Sequence, residues 1–305
     1  MKIRYINLAI VTTLVIVLCG CGESEEQRLL RTKAERERLD AENRAALKIA
    51  VTPTMDCLPL FLLKDSVLYD TTKVDVRLQL FTAHMDCDTA LLRKHVEGTM
   101  TDLVRVEHMR RTGYPMGYAT ATEAHWQLLA NKRSRLKDLS QLSDRLVAMT
   151  RFSATDLLTD RAQKKGKTKY QPYKIQINDV NIRLQMLQNN EMDALWLMEP
   201  LATAARMTGA NVLVDTRKDS VNLGVMAFRV DVLADDHRYA QIQELLKAYD
   251  KAVDQLNRNG IQAYAPIIKK YMAVEDRVIQ AMPVIIYKRS SQPLPKDIAT
   301  AASLK

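Results

Sequence analysis

Short apolar runs bounded by turn residues alternate along this chain with longer stretches of helical periodicity. Leu47–Thr52 reads as a buried strand closed by Pro53, and Val74–Phe81 alternates apolar and polar positions as a second strand does. Between them Pro59 opens an apolar helix, with Thr54 or Asp56 as its cap. Ala83–Met109 then runs as polar loop, helix, glycine turn, very short strand and second helix start. Asp86 or Asp88 caps the first of these helices, Thr89–Val96, and Gly98 ends it. Tyr118–Thr122 and His125–Ala130 read as strands. In the second half Leu146–Met149 is a strand, Ser153 caps a helix running to about Arg161, 163–173 is loop, and Lys174–Ile177 is a short strand. Asp179 caps the helix Val180–Gln188, Asp193–Leu197 is a strand, and Glu199-Pro200 opens another helix. Asn211–Val214 and Gly224–Arg229 are strands. Arg238–Arg258 is an amphipathic helix stopped by Asn259-Gly260, and the tail after Pro293 is expected to be loose.

Strands alternating with helices predict a mostly parallel α/β sheet. An internal echo predicts two of them. Glu97-Gly98 with Asp102, after the helix bearing Leu91-Leu92, matches Asn190-Glu191 with Asp193, after the helix bearing Leu184 and Leu187. In open α/β sheets ligands bind beyond the carboxyl ends of the strands. Those places hold Thr54 and Asp56, Asp86 and Asp88, Thr101 and Asp102, then Thr150, Arg151, Ser153 and Thr155, and finally Glu199. Helix N-termini attract anions, whereas carboxylates attract donor groups. A small polar molecule of mixed character reconciles the two. Phe152 is the stacking candidate; Trp126 and Trp196 sit in apolar strand patterns and read as core or as ring partners. Asp56, Asp86, Asp88 and Ser153 also read as plain helix caps, worth about 1 kcal/mol each.

The N-terminus adds a different signal. Lys2 and Arg4 precede the apolar run Leu8–Leu18, the layout of a secretory signal, and the run is short of the roughly 20 residues a bilayer span needs. It ends in Leu18-Cys19-Gly20-Cys21, which resembles the bacterial lipobox with Cys21 as the lipidated residue. Residues 1–21 are therefore expected to be a lipoprotein signal peptide. Residues 22–46 follow as a charged helical spacer with pairs such as Arg31/Glu35 and Arg38/Glu42. The body is then expected in the cell envelope, lipid-anchored and facing the periplasm.

The formal net charge of +9 is spread through a chain that is 27% charged, with acids and bases alternating as in Arg105-Val106-Glu107. No nucleic-acid partner is expected, since the basic runs 132–137 and 164–169 read as solvated loops without interleaved aromatics. Cys57 and Cys87 leave three readings open: a disulfide, free thiols, or a metal site completed by His84 and Asp86. The spacing of ligands for a metal is absent, and no metal or other cofactor is expected. No G-x-S-x-G, glycine-rich phosphate loop or H-E-x-x-H occurs, so catalysis is not expected either.

Four segments carry a family resemblance: Ile49–Thr54, the Gly98-x-x-x-Asp102 turn, Val147–Ser153 and Asp193–Pro200. Together they resemble the solute-binding proteins of ABC importers with the type II periplasmic-binding-protein fold, in the branch with nitrate-, taurine-, alkanesulfonate- and thiamine-pyrimidine-related proteins. The resemblance covers about Leu47–Tyr271. It implies two lobes, each a mostly parallel sheet flanked by helices, joined by two crossing segments. Lobe I would take 47–127 and 215–292, lobe II 128–214, and a tail 293–305. It further implies a monomer that closes on a small ligand and presents it to an ABC permease, with contacts from Thr54, Asp56, Thr101, Asp102, Ser153 and Glu199. Asn190 stands where glycine is usual, and asparagine tolerates the left-handed region. The acids at Asp86–Asp88 predict an amine- or pyrimidine-like ligand over a simple anion. Two alternatives are an enzyme on the same fold, of dehydratase or pyrimidine-synthesis type, and an envelope protein that binds a macromolecular partner.

Overall fold

The computed structural model describes residues 25–304, with side chains from Arg31 onward. Cys21 and the expected signal segment lie outside the described residues. The chain divides into an N-terminal unit ending at Ala46 and a body that begins at Leu47. In the first unit Glu25–Ala45 is one helix whose described side chains are all exposed, with Arg38 and Glu42 paired at 3.6 Å. A helix with solvated side chains agrees with the charge pattern of this segment. No described helix is long and apolar enough to cross a membrane.

The body holds two five-stranded sheets. The first is built from β1 (Leu47–Val51), β2 (Val76–Leu80), β3 (Gly98–Asp102), β4 (Met116–Ala121) and β10 (Gly224–Arg229), in the order β2-β1-β3-β10-β4. The second is built from β5 (Trp126–Ala130), β6 (Leu146–Met149), β7 (Tyr173–Gln176), β8 (Ala194–Met198) and β9 (Asn211–Asp215), in the order β7-β6-β8-β5-β9. Pairing is parallel except around β10 and β5, each of which runs antiparallel to both neighbours. These two reversed strands are the ones that follow a crossing between sheets. The first crossing is 122–125 and the second 216–223, so the strand expected to straddle 127/128 lies wholly in the second sheet.

The crossings are tied to each other. Thr122 N donates to Gly224 O at 3.0 Å, Asn222 Nδ2 to Thr122 O at 2.8 Å, and Trp126 N to Thr216 Oγ1 at 2.9 Å. Gly224 makes this approach feasible, because a Cβ there would stand 2.5 Å from both Ala124 Cβ and Thr122 Oγ1 and 2.7 Å from Thr122 O. Gly224→Ala is therefore expected to cost about 1–3 kcal/mol, read as a lower urea midpoint. An unchanged midpoint would mean that the two crossings separate freely.

Three apolar clusters hold the layers. One packs the first sheet against the helices Leu58–Asp65, Asp236–Asn259 and Ala265–Met272, with Phe61 stacked on Tyr271 at 4.1 Å. Another joins residues of both sheets with the helices Leu103–Arg111 and Ala154–Gly166, and the third lies under Val180–Gln188 and Leu201–Met207. Asp235 caps Asp236–Asn259 by accepting from Arg238 N at 2.8 Å, and Gly260 ends it with φ 76°. The amphipathic pattern placed this helix well.

Several local expectations are corrected. The helix expected at Thr89–Val96 runs His84–Leu92, capped by Ala83 without a side-chain bond, so Asp86 and Asp88 sit inside it and cap nothing. It ends before Lys94, which takes the left-handed conformation, and Gly98 is the first residue of β3. Thr54 and Asp56 make no cap bond either; a short 3-10 turn, Met55–Cys57, leads into Leu58–Asp65. The helix after Ser153 continues to Gly166. The tail forms a helix, Pro295–Ala302, with Asp297 and Ala301 buried, and it is fastened where Arg111 Nη1 donates to Leu304 O at 2.6 Å.

Candidate functional site

The carboxyl ends of β1, β3, β6 and β8 face one another across the gap between the sheets, and a cavity of about 30 Å3 lies there. At about 10–15 Å3 per water-sized guest this is a nearly closed cleft. Of the sequence candidates it gathers Thr54, Asp102, Ser153 and Thr155. Thr150, also at a predicted strand end, lines it too; Thr52, His84, Arg105, Asn178 and Arg183 are added, with Trp126 and Trp196 as walls.

Most of the predicted hydroxyls are spent locally. Thr54 Oγ1 shares a 3.0 Å bond with Thr52 Oγ1. Ser153 caps its helix by accepting from Thr155 N at 3.1 Å and donates to Thr150 O at 2.6 Å. Thr155 Oγ1 accepts from Thr150 N at 3.0 Å. These bonds fix the loop 150–155 but leave little hydrogen-bonding capacity for a guest.

The charged groups set the character of the cleft. Asp102 caps Leu103–Arg111 by accepting from Arg105 N at 3.0 Å, and the Ala154 amide, at the start of a helix on the opposite lobe, also favours its charged form. Burial nevertheless pushes its pKa up to about 6, against Arg105 and those amides. Folding thus favours the protonated form. The folded chain binds more protons than the unfolded one between 3.8 and about 6, so this stabilisation is complete below the lower value and lost as pH rises through the upper. In Asp102→Asn the fall in urea midpoint over that window is expected to be shallower than in the parent. Parallel profiles would remove Asp102 as its source.

Arg105 is buried at the cleft, with its guanidinium paired to Asp88. Burial opposes its charge, but Asp88 and Asp102 more than offset that. Arg183 differs. It is 3% exposed and makes three bonds, all to uncharged acceptors: Nε to Ile177 O at 2.6 Å, Nη1 to Trp196 O at 3.1 Å, and Nη2 to Thr150 Oγ1. No carboxylate pairs with it among the described residues. Burial, then Arg105, push its pKa down to about 9, which still leaves it charged at neutral pH. His84 is held neutral, its pKa pushed to about 3 by burial and then by the two arginines.

The other predicted residues lie elsewhere. Asp56 and Glu199 line a separate cavity beside the crossings, with Glu123, His125, Gln127 and Arg217. Thr101 is buried in β3, does not line the cleft, and its Oγ1 has no hydrogen-bond partner. Arg151 and Phe152 are exposed and line an outer groove of about 420 Å3 with Asp88 and Arg105. There Phe152 stacks on His108 of the opposite lobe at 4.1 Å, so the predicted stacking residue meets a protein ring. Asp86 is exposed on the outside of its helix.

Cys57 and Cys87 are both free and buried, each in a different apolar cluster. Burial raises both thiols, Cys87 to about 12. Among the described residues no group of three or more His, Cys, Asp or Glu is placed to hold a metal ion.

Arg105 and Arg183 escaped the sequence reading, although a signal existed. Arg183 lies on the stripe Val180, Leu184, Leu187 of its helix, and Arg105 interrupts the run Leu103-Val104-x-Val106. A charge on an apolar stripe is costly unless it is answered.

No protein-family model matches the chain. No curated protein matches it in sequence. Solved structures do match. The ligand-binding component of an ABC-type import system from Staphylococcus aureus, solved with zinc bound, superposes with a TM-score of 0.72 at 17% identity, covering 85% of this chain and 90% of that one. The alkanesulfonate-binding protein SsuA from Xanthomonas axonopodis pv. citri, bound to MOPS, gives 0.70 at 16% identity over 85% and 90%. The periplasmic nitrate-binding protein NrtA from Synechocystis PCC 6803 gives 0.67 at 14% identity over 80% and 75%. At such identities the likeness concerns the fold: two mixed sheets flanked by helices, arranged as in the periplasmic binding proteins of ABC importers.

Proposed function

We propose that this chain is a non-catalytic, envelope-located solute-binding component that closes on a small zwitterionic ligand and hands it to an ABC-type permease. The Leu18–Cys21 segment would tether it through a lipid on Cys21. The observation that carries the ligand assignment is Arg183, a buried guanidinium at the cleft with no carboxylate partner. A carboxylate or sulfonate would answer it by charge-assisted hydrogen bonds. This shifts the amine preference drawn from Asp86 and Asp88, since one is exposed and the other is committed to Arg105. A purely cationic amine leaves Arg183 unanswered. A simple anion leaves Asp102 desolvated beside it. A molecule with an anionic end at Arg183 and a donor end at Asp102 satisfies both.

The structural relatives whose ligands are anions, nitrate and alkanesulfonates, support the anionic end. Thermal-shift titration should show stabilisation by a small amino-sulfonate or amino-carboxylate, exceeding that by the matching amine or matching anion alone. Native mass spectrometry of the purified protein should then reveal a co-purifying species of that class. No stabilisation by any of the three classes at millimolar concentration would defeat the proposal.

A further inference from the structure

The cavity beside the crossings has a charge imbalance that solute binding in the main cleft does not use. Its volume is about 20 Å3, and three carboxylates line it: Asp56, Glu123 and Glu199. The cations nearby are committed. Arg217 Nε donates to Asp215 at 2.9 and 3.0 Å, and Lys288 pairs with Glu123 at 3.0 Å. Arg206 Nη1 also donates to Gln127 and forms an ion pair with Glu199 Oε1 at 2.9 Å, but the pair is poorly aligned and leaves that oxygen without a well-directed hydrogen bond. Asp56 is more isolated still. It is 5% exposed, its Oδ1 has no hydrogen-bond partner, and no Lys or Arg pairs with it among the described residues. Burial pushes its carboxyl above the ordinary range, against Thr54, local amides and His125.

Two carboxylate oxygens thus lack well-directed donors in a space sized for one water-like guest. Asp56 belongs to the first lobe and Glu199 to the second, and Met55 N donates to Glu199 O at 3.0 Å between them. We propose that this hinge cavity binds one ammonium ion between Asp56 and Glu199, and that the ion holds the lobes together. Ammonium supplies donors in every direction and a compensating charge. Calcium or magnesium would need six or more oxygen ligands, and among the described residues no group of three or more His, Cys, Asp or Glu is placed to hold a metal ion.

The test uses the purified chain without solute, so it stands or falls apart from the ligand assignment. Its melting temperature is compared in ammonium, potassium and tetramethylammonium chloride at equal ionic strength. Ammonium at about ten times its dissociation constant is expected to raise it by about 3 °C over tetramethylammonium. The rise should vanish in Asp56→Asn and in Glu199→Gln, either of which suffices if the other fails to fold. Equal stabilisation by potassium would overturn the ammonium assignment. Indistinguishable salts, or a rise that persists in the folded variants, would overturn the site.

Discussion

Replacing Arg183 by glutamine is expected to weaken binding of the cleft's ligand by about 2–5 kcal/mol, which is about 30- to 5,000-fold. In the bound state the ligand's anionic end would lose a buried guanidinium that, among the described residues, is ion-paired to no carboxylate and feels only the more distant charge of Asp179. In the unliganded state opposing effects meet. Glutamine removes a desolvated charge, and it also withdraws the donors that Ile177 O and Trp196 O now receive. Each carbonyl lost costs about 1–3 kcal/mol, while a buried ion without a counter-charge costs several. The unliganded urea midpoint should therefore move little while the calorimetric affinity collapses. An affinity within threefold of the parent would remove Arg183 from recognition. A large loss of stability would show that its role is to brace the loop 150–155.

Trp196→Ala is expected to destabilise the body by about 3–5 kcal/mol, the usual cost of truncating a buried tryptophan. The ring is 1% exposed in β8, between β6 and β5, and its Nε1 donates to Thr159 Oγ1 at 2.9 Å. That bond ties the second sheet to the helix whose N-terminus reaches the cleft. Trp196→Phe keeps one ring but removes the donor and part of the indole's volume, so it should cost less than the alanine variant, about 1–3 kcal/mol. Urea denaturation monitored at two wavelengths separates the two variants. Equal losses would show that the indole N–H, rather than the ring, carries the stability.

The alternation of strands and helices was legible because the sheets are bounded by ordinary turn chemistry. Asp179 and Ser153 cap the helices their positions predict, and Asn190 takes the left-handed conformation at φ 61°. The helix His84–Leu92 is hard to place from sequence because its cap, Ala83, leaves no chemical mark, while Asp86 and Asp88 look like caps. The internal echo was real but aligned at the wrong end. Asp193 precedes β8 and accepts from Leu146 N at 2.9 Å, and its counterpart is Glu97, which precedes β3 and accepts from Lys48 N at 2.7 Å. Asp102 stands at the other end of β3. Spacing alone does not say which end of a strand an acid occupies.

The site was less legible than the fold. Polar residues beyond strand ends are the natural ligand contacts in such a fold, yet many of them close the loop on itself instead. The charges that face the cleft sit on helix faces that composition marks as core. Arg105 in Leu103–Val106 looked like part of a solvated alternation, yet it is buried and paired with a carboxylate seventeen positions earlier. Only the packing of two lobes reveals that.

The two reversed strands also constrain how such a chain can be made. β10 lies between β3 and β4, although all five strands of the second sheet intervene between β4 and β10 in sequence. Until it arrives, β3 and β4 have no common partner, and each presents an unpaired edge. Contacts of such long sequence separation form slowly, and open edges invite pairing with other chains. A chain that emerges N-terminus first would therefore expose a sticky half-sheet until its last third is available. Its yield in a cell would depend on how quickly those edges are covered.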